Sequence, residues 1–172
     1  MANTFELISA VTVGSGGASS IDFTSIPSTY TDLCFKISGR TTGALSRSES
    51  IYLQFNGVTT SSYSYRYIQG SGSAASSSSG STTFIYIGEQ PQSPSTASTF
   101  GNADIYIPNY AGSTNKSLSV DNVQEDNQTQ AYATLVAGLW SNTAAITSIK
   151  VYPTLSNWAQ YSTAYLYGVK NA

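Results

Sequence analysis

The chain has 172 residues and a net charge of −2, and only 9% of it is charged, against about a quarter in ordinary soluble domains. It has one cysteine and no histidine, which excludes an intrachain disulfide, a Cys/His zinc site, and Ser/His/Asp or Cys/His catalysis. No basic stripe is available for phosphates and no run approaches the ~18 apolar residues of a membrane span, so neither nucleic acid nor membrane is an expected partner.

The first residues carry no basic stretch followed by a long apolar run, so no signal peptide is expected. Residues 5–13 alternate, with Phe5, Leu7, Val11 and Val13 on one side and Glu6 and Thr12 on the other, which predicts a half-buried strand. Gly14 to Gly17 form a turn; no Lys-Ser/Thr follows to make a phosphate loop. Ile21 and Phe23 predict a short strand, stopped near Pro27. In residues 30–38, Leu33, Phe35 and Ile37 point one way and Asp32, Cys34 and Lys36 the other. Cys34 reads as a small buried filler.

Residues 40–50 read as a polar loop. Ile51, Leu53 and Phe55 alternate with Tyr52 and Gln54, and Asn56-Gly57 then supplies a turn in which both residues accept positive φ. The returning strand, residues 63–68, places Tyr63, Tyr65 and Tyr67 on one face and Ser64, Arg66 and Ile68 on the other. Residues 70–83 (GSGSAASSSSGSTT) are low in complexity. They read as a long surface loop within one domain, because neither flank has apolar area for a core of its own.

Further strands are predicted at 84–87 and 104–107 and from Leu118, with loops at 88–99 and 109–116 and a polar hairpin or loop at 122–130. The last third holds three apolar segments, 131–140, 146–152 and 164–169, separated by Ser/Thr/Asn-rich turns. These read as the centre of the fold. About ten strands and no helical period predict an all-β, single-domain antiparallel β-sandwich of jelly-roll type spanning 1–172.

No catalytic, cofactor or metal site is expected. The nine acids are scattered, and only Asp104 has apolar neighbours that would raise its pKa. Asp121, Glu125, Asp126 and Asn127 offer hard oxygens, but without EF-hand spacing or its central glycine they read as a solvated loop. The candidate functional aromatics are Tyr63, Tyr65, Tyr67, Trp140 and Trp158. Such rings serve a core or subunit interface, or stack sugars when displayed in the open.

Three stretches carry a family resemblance: MANTFELISAVTVGSGGASSIDFTSIPSTYTDL, NADIYIPNYAGSTNKS, and LVAGLWSNTAAITSIKVYP with WAQYSTAYLYGVKNA. The pattern resembles a family of small virion structural proteins of tailed bacteriophages, many from aquatic hosts such as cyanobacteria. Its members occur as stand-alone proteins and as C-terminal domains of tail-fibre-like chains. The resemblance implies a non-enzymatic virion protein, assembled in the host cytoplasm. The chain has no heptads or shaft repeats, so the expectation is a capsid decoration (cement or knob) protein. Its partners would be the major capsid protein or other virion proteins, and it would be homo-oligomeric, with a trimer fitting such a lattice. The alternative is a tail-fibre or receptor-binding module that recognises host surface glycan.

Overall fold

A computed structural model describes residues 4–127 and 131–170. Its strands are β1 (Phe5–Thr12), β2 (Ile21–Phe23), β3 (Asp32–Gly39), β4 (Ser48–Phe55), β5 (Tyr63–Gly70), β6 (Ala75–Thr82), β7 (Ile85–Pro91), β8 (Gly101–Ile107), β9 (Lys116–Gln124), β10 (Tyr132–Trp140), β11 (Ile149–Pro153) and β12 (Thr163–Val169). They form an eight-stranded sheet, ordered β1-β12-β3-β8-β9-β10-β5-β6, and a four-stranded sheet, ordered β2-β11-β4-β7. All strand pairs are antiparallel.

The layers close on one another where strands such as β8, β9 and β10 bury every second residue. In β9, Lys116, Leu118, Val120, Asn122 and Gln124 are buried while the residues between them are exposed. Phe35, Phe55, Ile85, Ile105, Val151, Leu166, Trp140 and Trp158 belong to one buried cluster. Each large side chain taken from water contributes roughly 1.5–3 kcal/mol. The three C-terminal segments take interior positions: β10 lies between β9 and β5, β11 between β2 and β4, and β12 between β1 and β3. The all-β sandwich is as expected. The jelly-roll assignment goes further than an eight-plus-four strand order carries.

Several local expectations are corrected. The largest correction falls at 70–83, which is not a loop. It contains β6, paired with β5 in unbroken register from Tyr63 opposite Thr82 to Gly70 opposite Ala75. Main-chain pairing is indifferent to serine side chains, so composition hid the strand. The Tyr65 ring lies over Gly80, where an added Cβ would stand 2.6 Å from the ring.

Asn56-Gly57 makes the expected turn, with φ of 52° and 65° and a Val58 N–H to Phe55 C=O bond of 2.9 Å. It does not join paired strands, however, because β4 and β5 lie in different sheets. In β1 the alternation breaks at an irregularity between Leu7 and Ser9. Phe5 and Leu7 therefore face out, while Ile8 and Val11 pack on the core. Residues 88–91 continue β7 instead of looping, since a proline is tolerated on an edge strand. Likewise β4 starts at Ser48 and β9 runs to Gln124, inside the expected loops. Residues 128–130 of the expected 122–130 loop lie outside the described residues.

Candidate interaction surface

The side of the large sheet turned away from the core is the most distinctive surface. Strand register lines up Tyr165, Lys36, Asp104, Asp121, Leu135 and Ile68 in one row across it. The adjacent row runs Leu7, Tyr167, Cys34, Tyr106, Ser119, Ala137 and Arg66. Leu135 is 55% exposed, Ile68 60% and Phe5 52%, and Val123, Tyr106 and Tyr165 are exposed beside them.

Strand β10 explains why this face is apolar. Its inner residues Val136 and Trp140 are buried, yet the opposite parity supplies Ala133, Leu135, Ala137 and Leu139. An antiparallel strand with one wet face should alternate with polar residues. A run apolar on both parities, Leu135 to Trp140, was the signal in the sequence. Reading that segment only as a core strand missed it.

Among the described residues, Leu135 lines three troughs on this face. The largest, about 860 Å³, lies among Arg66, Ile68, Ser77, Ser79, Leu135 and Ala137. The second, about 580 Å³, extends over Gly70 and Ala133. The third, about 420 Å³, reaches across to Phe5, Lys36 and Tyr106. The floor is apolar around β10 and β5 and is crossed towards β1 by the charged Lys36, Asp104 and Asp121. An exposed patch of this kind on a protein marks an interaction site more often than chance.

Polar groups on the same face are tied to one another. Asp104 accepts from Lys36 across β3 and β8 and from the Cys34 thiol at 3.4 Å. Burial, then the bond and charge of Asp104, push the Cys34 thiol up to about 11. Its thiolate is scarce at neutral pH, so it is a poor nucleophile. Lys36 is held above the usual lysine range, chiefly by its bond to Asp104. Tyr106 donates to Asp32 at 2.5 Å, and that bond leads in pushing its hydroxyl up to about 12.

The five aromatics singled out from sequence do not form an open platform. Tyr63, Trp140 and Trp158 are fully buried, so of the roles expected for them they take the core one, and the expectation of glycan-stacking or interface rings is corrected. Tyr63 and Trp140 stack at 6.2 Å inside the sandwich. The Tyr63 hydroxyl accepts from the Phe55 N–H at 3.0 Å and is 3.1 Å from the Phe55 and Val58 carbonyls. Trp158 donates to the Val151 carbonyl at 3.2 Å. Tyr65 and Tyr67 are half-buried and pack on the core, Tyr67 lying 4.9 Å from the Tyr86 ring. The tyrosine parity of β5 is its inner one, and covering these rings is worth more than displaying them.

Several carboxylates that sequence reasoning left among scattered acids, Glu49 and Glu89 among them, are partly or fully buried. Glu49 accepts from the Leu155 and Ser156 N–H groups at 2.6 and 2.9 Å, the Ser156 hydroxyl at 2.5 Å and Gln92 at 3.2 Å. It fastens the segment after β11 to β4. Glu89 accepts from Ser50 at 2.8 Å and Tyr86 at 3.2 Å. Burial holds its pKa above the usual carboxylate range, against the lowering effect of these bonds. Lys116 is buried, its ammonium donating to the Gly112 carbonyl at 2.7 Å and to that of Thr114, and burial lowers its pKa. Each of these ionisable groups is occupied by the protein itself. Among the described residues, no three Cys, Asp or Glu side chains are gathered to hold a metal ion.

No family model and no curated protein matches the chain. Among solved structures, it is similar to the crystal structure of Scytalido-glutamic peptidase with a peptide-based transition state analog. The TM-score is 0.26 at 8% identity, over 88% of this chain and 63% of the peptidase chain. At that score the likeness carries no argument about chemistry.

Proposed function

We propose that this chain is a non-enzymatic structural protein of a bacteriophage virion, a decoration (cement or knob) protein that docks on the assembled capsid lattice. The observation that carries the reading is the apolar outer face centred on Leu135, with its flanking Ile68, Val123 and Phe5. This face suits burial against neighbouring subunits. The sequence resemblance supports the virion setting, and the occupied carboxylates and high-pKa thiol support a non-enzymatic role.

The mechanism follows from mass action. A protein that binds only the assembled lattice stabilises it by RT ln(1 + [L]/Kd). Many weak contacts held in register add up to firm attachment. Low surface charge removes the repulsion that would oppose close packing of copies.

The test compares purified particles with and without the protein under heat and low salt, together with copy number. The expected result is hundreds of copies per particle and earlier rupture in their absence. Unchanged particle stability with lost host adsorption, and about a dozen copies, would replace this reading with the glycan-recognising tail module.

A further inference from the structure

The two sheets have four edge strands, and three of them carry devices that block further pairing. Strand β1 is broken by its irregularity between Leu7 and Ser9 and carries Glu6, which is paired with Lys170 at 2.8 Å. Strand β2 is only three residues long. Strand β7 ends in Pro91, whose carbonyl accepts from the Thr41 N–H at 2.9 Å, and its Glu89 N–H donates to Asn122 at 3.1 Å. Short length, charge, proline, bulges and coverage are the usual protections of an edge.

Strand β6 has none of them. Its eight residues, Ala-Ser-Ser-Ser-Ser-Gly-Ser-Thr, contain no charge and no proline and pair with β5 without a register shift. Six of the eight are exposed, Gly80 and Thr82 being half-buried. The phase of its free groups can be read from the turn. The Ser71 N–H donates to the Ala74 carbonyl at 2.9 Å, so that pair is a bonded one. Bonded and non-bonded pairs alternate along an antiparallel ladder. Ser76, Ser78, Gly80 and Thr82 therefore bond to β5, while Ala75, Ser77, Ser79 and Ser81 aim their N–H and C=O groups away from it.

We propose that β6 pairs antiparallel with β6 of a second copy about a two-fold axis at Ser78, continuing the large sheet across two chains. In that register Ser77 lies opposite Ser79, and Ala75 opposite Ser81. Each outward-facing residue thus meets an outward-facing partner. A two-fold contact sets like residues against like. Any lysine or glutamate near the axis would face a like charge, and this strand has none. Small side chains let the backbones approach, and serine pairs opposite one another add hydrogen bonds. The Leu135 trough, whose rim is Ser77 and Ser79, gains a wall from the second copy. This proposal concerns only the chain's own edge and stands apart from the virion reading.

The test is sedimentation equilibrium of the purified protein from micromolar concentration to ~1 mM, with variants chosen by phase. Proline is tolerated on an edge strand where its N–H faces solvent. Ser79→Pro therefore keeps the monomer fold, checked by circular dichroism and melting temperature, while removing a central bond. Ser77→Lys adds charge beside the axis and loses no bond to β5. The wild type is expected to move from the mass of one chain towards two as concentration rises. Both variants are expected to weaken the dimer at least ten-fold. In a second arm, Ser78→Cys is expected to form a disulfide-linked dimer under mild oxidation, and Ser73→Cys and the wild type are not. A wild type that stays monomeric throughout, a dimer undiminished in both variants, or a dimer whose Ser78→Cys form does not cross-link would each overturn the proposal.

Discussion

The two faces of β10 are built from the same kinds of residue but answer to different demands. Inward, Val136 and Trp140 are sealed between the sheets. Outward, one residue away, Leu135 stands half in water. Folding accounts for the first set, because each of those side chains has a layer to pack against. Among the described residues, nothing closes over Leu135. A leucine kept at such a place adds little to the stability of the single chain, so its use is to be sought in contact with something else.

Substitution separates the two demands. Trp140→Ala leaves a hole among Phe55, Tyr63 and the neighbouring chains and is expected to cost about 3–5 kcal/mol. Leu135→Ser, one face away, is expected to change unfolding free energy by less than ~0.5 kcal/mol while weakening attachment to particles. Chemical denaturation of both variants and a particle-binding assay check the contrast. Comparable stability losses would show that the outer face serves the fold.

A second loss is expected at Glu49. Removing this carboxylate in Glu49→Ala strands two backbone N–H groups, and the cost is about 3 kcal/mol, read from the denaturation midpoint. The smallest effect is a slope with pH. The folded-state pKa of Glu89 is raised by burial, so the native protein binds its proton more tightly than the unfolded chain. The stability that Glu89 contributes is full below the ordinary carboxylate pKa and falls as pH rises through the raised one. Glu89→Gln is expected to flatten that fall, melting higher than the wild type at neutral pH and close to it in acid. Melting temperature against pH measures it.

The legible parts of the chain were those where burial leaves a mark on one parity. Leu33, Phe35 and Ile37 in β3, and Leu118 and Val120 in β9, announce their strands because water is excluded from one side only. Strand β6 left no such mark. It is wet on both faces, and main-chain bonds to β5 alone define it. The direction of the β5 tyrosines was hidden for another reason. Period two fixes which residues share a face, not which face turns inward, and the inward choice here depends on β7 and its Tyr86 ring. Glu49 was hidden because its partners, the N–H groups of Leu155 and Ser156, are distant in sequence.

The pairing of β12 with both β1 and β3 sets a timetable for folding. The same holds for β11, which inserts between β2 and β4. During synthesis β1 and β2 emerge with no strand to pair with, and β3 and β4 with only β8 and β7, until Ile149–Pro153 and Thr163–Val169 leave the ribosome. Closure is therefore a late event dominated by long-range pairing, the slow regime of small-domain folding.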